Sequence, residues 1–251
     1  MKVTILGSGT SGGVPSLGCQ CPVCRSHDPK DKRLRSVALL ETESTRILLD
    51  CGPDIRQQLM PLPFRKIDAV LLTHIHYDHV GGIDDLRPYC KFGDINIYVD
   101  RHTTEGLHQN MAYCFTSYPG APKLNLHTIR PHEMLTVGDV EVMPVSVMHD
   151  RLPILGYRFG RFAYITDMKT IPETEYEYLK GVEILVVNAL RFEGEHHAHQ
   201  LVADAIAFSR RIGARHTYFT HVTHQIGFHN DANARLPEGF EFANDGLTFE
   251  V

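Results

Sequence analysis

A six-residue segment of this chain carries four side chains of the kind that bind metal ions. The segment, His74–His79, contributes three imidazoles and the carboxylate of Asp78, and it directly follows an apolar run. Imidazole and carboxylate groups are ligands of zinc, manganese and iron. A strand that leads into a tight loop would aim His74 and His76 to one side and leave Asp78 and His79 to turn towards a neighbouring point. Because four ligands exceed what one catalytic ion usually takes from a single segment, we expect two ions in a shared cleft.

Three single residues further along the chain could complete such a centre. Each directly follows a run that predicts a β-strand, and the three are His149, Asp167 and His221. Strand ends are rigid enough to hold ligands within the tolerance that a metal demands. Taken singly, a histidine or aspartate at a strand end is common, and the loop at 74–79 could be a polar loop that is rich in histidine. Their joint occurrence favours a metal centre.

A second candidate site is formed by three of the six cysteines, which cluster at Cys19, Cys21 and Cys24. This spacing is typical of a metal-binding knuckle, with reduced cysteines in an ordinary loop as the alternative. Six cysteines in a chain of this length do not indicate a disulfide framework, which predicts a reducing, cytoplasmic setting. The other three are scattered, and we expect them to be small buried hydrophobic residues: Cys51, Cys90 and Cys114.

The composition is that of an ordinary globular protein. The 251 residues are 43% apolar and 22% charged, and the formal net charge is −5. This acidic balance argues against a protein that coats nucleic acid or an anionic membrane, although two bound divalent ions would make the cleft itself more positive. No apolar run is long enough to span a bilayer, and residues 1–6 predict a short strand rather than a signal peptide. We therefore expect no membrane partner.

Predicted strands alternate with predicted helices over the whole length, which indicates one mixed α/β domain at residues 1–251. A glycine-rich stretch at 7–13 is expected to let the backbone approach the metal cleft closely, with contact to a phosphate as the alternative. The hydrophobic patterns predict helices at 54–60, 83–90, 103–115, 172–179 and 200–212. They predict strands at 2–6, 37–41, 47–50, 67–73, 95–99, 124–129, 140–148, 182–187, 216–220 and 246–251, and a hairpin at 157–167.

The pattern His-x-His-x-Asp-His after a buried strand is the signature of the metallo-β-lactamase superfamily, which this chain resembles over essentially its whole length. The resemblance implies an αββα sandwich, in which two packed mixed sheets carry helices outside and the metals lie at one edge. It assigns one divalent ion, manganese or zinc, to His74, His76 and His149. It assigns a second ion to Asp78, His79 and His221, with Asp167 bridging the two.

Two such ions would lower the pKa of a shared water and make it the nucleophile, while also stabilising the charge that develops on a phosphoryl group. The candidate catalytic residues are therefore the ligand Asp78 and a proton donor for the leaving oxygen. In the ribonuclease Z and cyclic phosphodiesterase branches a histidine that is not a ligand precedes the equivalent of the helix at 200–212, which indicates His199. The family's usual Ser-Thr after that histidine is Gln-Leu here, so His197 and then His196 remain as alternatives.

The cysteine cluster resembles that of the phosphonate-pathway phosphodiesterases, which open a ribosyl 1,2-cyclic phosphate. In that branch three thiolates and one histidine hold a structural zinc, and the matching histidine here would be His224. Three thiolates and an imidazole make a closed tetrahedral site that leaves no position for catalysis. The site would tie the N-terminal loop to the strand that delivers His221.

Three functions compete. The first is a phosphodiesterase for a small cyclic diester, which the cysteine cluster and His199 favour. The second is a ribonuclease Z-type enzyme for tRNA 3′ ends, but the chain lacks the flexible arm of that branch, and its net charge of −5 suits a polyanionic partner poorly. The third is a thioester or lactone hydrolase, or a relative of the pyrroloquinoline quinone biosynthesis protein, which shares the cysteines but departs from the full metal motif. We expect a small-molecule phosphodiester rather than nucleic acid, and a homodimer is possible because dimers are common in the superfamily.

Overall fold

Fourteen strands form two mixed sheets in the computed structural model, which describes residues 1–116 and 120–251. One sheet has the order β14-β1-β2-β3-β4-β5-β6, and the other has the order β13-β12-β11-β10-β9-β8-β7. The strands are β1 (Lys2–Gly7), β2 (Val37–Glu41), β3 (Arg46–Leu49), β4 (Ala69–Leu71), β5 (Ile95–Val99), β6 (Leu124–Thr128), β7 (Leu135–Val137), β8 (Val140–His149), β9 (Leu152–Phe159), β10 (Phe162–Ile165), β11 (Ile184–Asn188), β12 (His216–Thr220), β13 (Phe240–Phe242) and β14 (Thr248–Glu250).

Helices cover the outer faces of both sheets. The α-helices are α1 (Pro22–Arg25), α2 (Ile55–Leu59), α3 (Tyr77–Val80), α4 (Arg101–Asn110), α5 (Val202–Ile212) and α6 (His229–Ala234). Short 3₁₀ helices lie at Pro29–Asp31, Ile83–Phe92, Ala112–Phe115, Glu173–Leu179 and His224–Ile226. Among the helices described, none is both long and apolar enough to cross a bilayer.

Three apolar clusters define the layers of an αββα sandwich. In β2, Ala38 and Leu40 pack into the cluster between the sheets, while Val37 and Leu39 pack outward into the cluster that holds α2. Successive side chains of a strand point to opposite faces, so a strand that is apolar at every position is buried on both sides. The third cluster packs the other sheet against α5. The predicted fold is therefore confirmed.

The topology brings several strand ends to one edge of the sandwich. Strands β3 to β6 run parallel to one another, and so do β10 to β13. Strand β8 pairs antiparallel with β9, which pairs antiparallel with β10, so β8 ends at the same edge as β10. Two hydrogen bonds join the sheets there, from Leu155 N to Thr73 O (3.0 Å) and from Tyr157 Oη to Leu72 O (2.6 Å).

Several predicted elements differ in detail from the structure. The helices predicted at 83–90 and 172–179 are 3₁₀ helices, the first of which contains Pro88. The helix predicted at 103–115 is α4, which ends at Asn110 before a 3₁₀ turn. Strands β7 and β13, each of three residues, were not predicted, because so short a run carries no resolvable alternation. Cys51 and Cys114 are buried as expected, whereas Cys90 is only half-buried.

Candidate metal centre and active site

The backbone takes a left-handed turn at three of the strand ends that meet at the shared edge. Asp50 follows β3 with φ 66°, Asp167 follows β10 with φ 56°, and His221 follows β12 with φ 54°. Non-glycine residues rarely adopt this conformation, and it persists where the surrounding structure enforces it. Here the turn aims each side chain into the cleft between the sheets, where all three are buried.

One group of donor atoms consists of the side chains of Asp78, His79, Asp167 and His221. His79 Nε2 lies 3.2 Å from Asp78 Oδ2 and 3.4 Å from Asp167 Oδ1. His221 Nε2 lies 3.4 Å from each of the same two oxygens. Ligand atoms at about 2.1 Å from a tetrahedral ion stand about 3.4 Å apart, so the spacing suits one ion.

A second group consists of the side chains of His74, His76, His149 and Asp167. His74 Nε2 lies 2.9 Å from His76 Nδ1 and 3.8 Å from Asp167 Oδ2. Asp167 thus turns one oxygen to each group. The structure brings together all seven residues that the sequence nominated, in the same two sets and with Asp167 between them. His76 and the neighbouring Tyr77 are exposed, so the centre opens to solvent on this side.

The surroundings shift the pKa of five of the donors. Burial, together with the neighbouring histidines, lowers the pKa of His74 and of His76, which keeps both rings neutral as metal ligands must be. Burial opposes ionisation of Asp78 and Asp167, yet the adjacent histidines hold the pKa of both carboxyls below its usual range. Burial would also lower the pKa of His79, but the carboxylates around it raise that pKa well above normal. A metal ion would take the place of that proton.

Asp50 is a functional residue that the sequence reasoning missed. Its buried carboxylate accepts hydrogen bonds from His79 Nδ1 (2.7 Å) and from the Thr73 hydroxyl (3.0 Å). The Thr73 oxygen in turn accepts from His74 Nδ1 (2.9 Å), so Asp50 fixes the ring of one histidine in each donor group. Within the described part of the chain, His79 Nε2 has no hydrogen-bond partner, and it faces the carboxylates of Asp78 and Asp167. Such partners orient metal-binding histidines and set their tautomer.

His199 is the histidine of the 196–199 segment that reaches the centre. Its ring is buried, its Nδ1 lies 4.0 Å from Asp167 Oδ2, and its centroid is 4.7 Å from those of both His149 and His221. His196 is half-buried and stacks on His197, which is exposed. Burial, followed by the nearby His221, lowers the pKa of His199 to about 3. Of the three candidate histidines, His199 is therefore the one that is buried against the donor groups.

The three clustered cysteines lie next to His224, the histidine that was predicted to join them. The donor atoms of Cys19, Cys21, Cys24 and His224 all lie within 4.8 Å of one another, and Cys24 Sγ is 3.2 Å from His224 Nδ1. We call these four residues the cysteine clip. All six cysteines of the chain are free thiols. Burial raises the pKa of Cys24 to about 11, so a cation would be needed to hold it as a thiolate.

The glycine-rich stretch lies beside the metal centre. Gly9 forms β-bridges with Arg35 and with Val222, the residue after His221, and Val222 N donates to Ser8 O (3.1 Å). A Cβ at Gly9 would lie 2.9 Å from Arg33 O, which is closer than real Cβ contacts permit. The close backbone approach that the sequence predicted at 7–13 therefore occurs next to His221, one of the candidate metal ligands.

Comparisons with known proteins agree with this architecture. The family described as beta-lactamase superfamily domain matches residues 45–222. The crystal structure of a new diphosphatase from the PhnP family superimposes with a TM-score of 0.92 at 36% identity, covering 100% of this chain and 97% of the other. Zn²⁺-bound PqqB from Methylobacterium extorquens has a TM-score of 0.81 at 23% identity over 100% of both chains, which shows the same fold.

One curated relative is about twice as long as this chain. The octanoyltransferase of Porphyromonas gingivalis is 42% identical over 250 residues, covering 98% of this chain and 51% of that protein. This chain thus spans about half the length of that relative.

The fold and the grouped donors match those that the sequence motif indicated. The chain belongs to the metallo-β-lactamase superfamily, as its sequence motif predicted, and the PhnP-like branch of that superfamily is confirmed as well.

Proposed function

We propose that this protein is a metal-dependent phosphodiesterase that hydrolyses a small cyclic phosphodiester. The observation that carries the proposal is the sharing of Asp167 by two donor groups, with the buried ring of His199 beside them. Two ions bound there, manganese or zinc, would activate a water and stabilise charge on the phosphoryl oxygens. The likeness to a diphosphatase of the PhnP family supports hydrolysis of a phosphorus–oxygen bond at this centre.

The role of His199 is to protonate the leaving oxygen. Its Nδ1 is buried without a hydrogen-bond partner among the described residues, so it is free to hold a proton. In the absence of substrate its lowered pKa keeps the ring neutral. An anionic diester next to the ring would raise that pKa, because a nearby negative charge favours the charged imidazolium. The proton would then be available where the leaving oxygen departs.

A cleft of about 720 Å³ offers room for the rest of a substrate. Its wall includes Leu155, whose N–H bonds to Thr73 O immediately before the ligand loop. Five titratable side chains line it as well: Asp100, Arg101, His102, Arg130 and Glu133. The lining thus mixes both signs of charge, and the net charge of −5 of the whole chain favours a small substrate over RNA.

The test is hydrolysis of bis(p-nitrophenyl) phosphate by the protein loaded with manganese or zinc. The wild type should hydrolyse this diester, and Asp167→Ala should abolish turnover because each donor group loses a ligand. Asp150→Ala is the matched control, because Asp150 is an exposed aspartate whose φ of 54° imposes the same backbone strain on alanine. Equal activity of Asp167→Ala and wild type would refute the assignment.

A thioester hydrolase is the second candidate, and the identity of 42% to half of an octanoyltransferase favours it. The same preparation should therefore be assayed with octanoyl-coenzyme A. Turnover of this thioester without any turnover of phosphodiesters would replace the phosphodiesterase proposal with this one.

A further inference from the structure

The segment between β11 and α5 forms a closed loop at 191–200. Leu190 N donates to Gln200 O (3.0 Å), and Val202 N donates to Arg191 O (3.1 Å), so the two ends of the loop are tied together. Gln200 N also donates to Met168 O (3.1 Å), next to the metal-binding Asp167. The base of the loop is therefore fixed, but its middle has no regular secondary structure to hold it.

The side chain of Arg191 holds the middle of this loop. Its Nε donates to Glu193 O (3.0 Å), and its Nη2 donates to Glu195 O (2.9 Å). Its Nη1 donates to Gln225 Oε1 (2.9 Å), and Gln225 follows His224 of the cysteine clip. The planar guanidinium offers donors in a fixed fork, which a lysine ammonium could not reproduce. One side chain thus connects two carbonyls of the loop to the segment that follows β12.

The far side of the same loop carries the groups that reach the metal centre. His196 Nδ1 accepts from Ala198 N (3.2 Å) and His199 N (3.1 Å), which forms a tight turn directly after Glu195. Ala198 O accepts from the Nδ1 of the metal-binding His149 (3.0 Å), and His199 is the next residue. A change in the path of the loop at Glu195 would therefore move His199.

We propose that Arg191 is a positioning residue for the proton donor: it fixes the 191–200 loop and thereby places His199 against the leaving oxygen. The inference rests on the proposed phosphodiesterase function. Arg191 does not touch the reacting atoms, so its effect must appear in steps that depend on His199. A displacement of about 1 Å at a catalytic group can cost about 100-fold in rate.

The experiment compares a diester that has a poor leaving group with one that has a good leaving group. Uridine 2′,3′-cyclic phosphate releases an alkoxide that needs a proton, whereas bis(p-nitrophenyl) phosphate releases a stabilised phenolate. His199→Ala should slow hydrolysis of the cyclic diester by about 100-fold and hydrolysis of the phenolate diester by less than about threefold. Arg191→Ala should likewise slow hydrolysis of the cyclic diester much more than hydrolysis of the phenolate diester. The double variant Arg191→Ala/His199→Ala should hydrolyse the cyclic diester no more slowly than His199→Ala alone.

Arg235→Ala is the matched control, because the Arg235 guanidinium packs over the Phe192 ring of the same loop at 3.6 Å. It should leave both rates near those of the wild type. Arg191→Lys should behave as Arg191→Ala does, since lysine cannot span the three acceptors. The proposal would be overturned if Arg191→Ala lost metal and hydrolysed both diesters equally more slowly. It would also be overturned if Arg191→Ala hydrolysed both diesters at the wild-type rate.

Amide hydrogen exchange separates failure of this inference from failure of the proposed function. Arg191→Ala should speed exchange in peptides that cover 191–200, and Arg235→Ala should not. If the wild type hydrolyses neither diester, the phosphodiesterase proposal fails, and the exchange comparison alone decides whether Arg191 holds the loop. Unchanged exchange in Arg191→Ala would overturn the inference whatever the activity.

Discussion

The carboxylate of Asp50 connects the two donor groups without belonging to either. It accepts directly from His79 and, through the Thr73 hydroxyl, it orients His74. Because each of these histidines donates from Nδ1, each turns Nε2 towards the centre. Burial raises the pKa of Asp50 although the His79 imidazole acts in the opposite direction, so the carboxylate depends on these hydrogen bonds to remain charged. The positions of two ligands therefore depend on one residue behind them.

Asp50→Asn should weaken metal binding without unfolding the protein. The asparagine amide keeps the shape of the side chain but has no charge. Its NH₂ group would face the donors His79 Nδ1 or the Thr73 hydroxyl instead of accepting from them. Loss of such a partner typically costs about 10- to 100-fold in metal affinity. Competition with a chelator measures the affinity.

Asp245→Asn is the control for the Asp50 variant. Asp245 is a half-buried carboxylate with a pKa that burial raises to about 6, and it accepts from Ser8 N and Leu34 N rather than from a histidine. Its variant should bind metal as the wild type does. Equal affinity of the Asp50 and Asp245 variants would argue against the role of Asp50.

The sequence could nominate the seven donors because their types and positions are informative without a structure. The loop at 74–79 concentrates them, and the others directly follow apolar runs. Asp50 also follows an apolar run, but a lone aspartate gives no spacing signal. Its role arises from the parallel pairing of β3 with β4, which places it beside Thr73. The contact between Asp50 and Thr73 therefore could not be predicted without the strand pairing.

At the scale of elements, the cysteine clip joins two distant parts of the chain. Cys21 caps α1 by accepting from Cys24 N, and Lys32 Nζ donates to Cys24 O (2.9 Å), so the N-terminal loop folds around the thiols. Cys24 in turn meets His224 in the segment after β12. We propose that a structural zinc binds here, since three thiolates and one imidazole fill a tetrahedral shell.

Cys21→Ser should therefore lower stability more than it lowers the rate of the reaction. Loss of a zinc ligand should reduce the midpoint of thermal unfolding by about 5 °C, because a loss of about 2 kcal/mol shifts the midpoint of a chain of this size by roughly that amount. Differential scanning calorimetry measures the shift. Cys90→Ser is the control, because Cys90 is half-buried and belongs to none of the donor groups. A Cys21→Ser midpoint equal to that of Cys90→Ser would refute the structural zinc.

The element types that the sequence predicted best are those with long regular patterns. Helix α5 has an apolar stripe and ends at Ile212, as predicted, and the next residue, Gly213, has a φ of 81° that suits glycine. The helix predicted at 83–90 instead became 3₁₀, because Pro88 cannot donate a helical hydrogen bond. Hydrophobic spacing does not distinguish these two helix types over so few turns.

At the scale of the whole molecule, the site exists because two parallel sets of strands end at one edge. The ligand loop follows β4 in one sheet, while His149, Asp167 and His221 come from β8, β10 and β12 in the other. The sandwich could be predicted from the motif and the strand–helix alternation. The strand order could not, because local patterns do not say which strands pair.

The most direct test of this account is the metal content of the purified protein. Elemental analysis should find about three divalent ions per wild-type chain, two in the catalytic centre and one zinc in the cysteine clip that resists mild chelation. Asp167→Ala should retain about one ion, and Cys21→Ser about two. A wild-type chain with one ion or none after exposure to manganese and zinc, or an Asp167→Ala chain with the full complement, would contradict the two-ion centre.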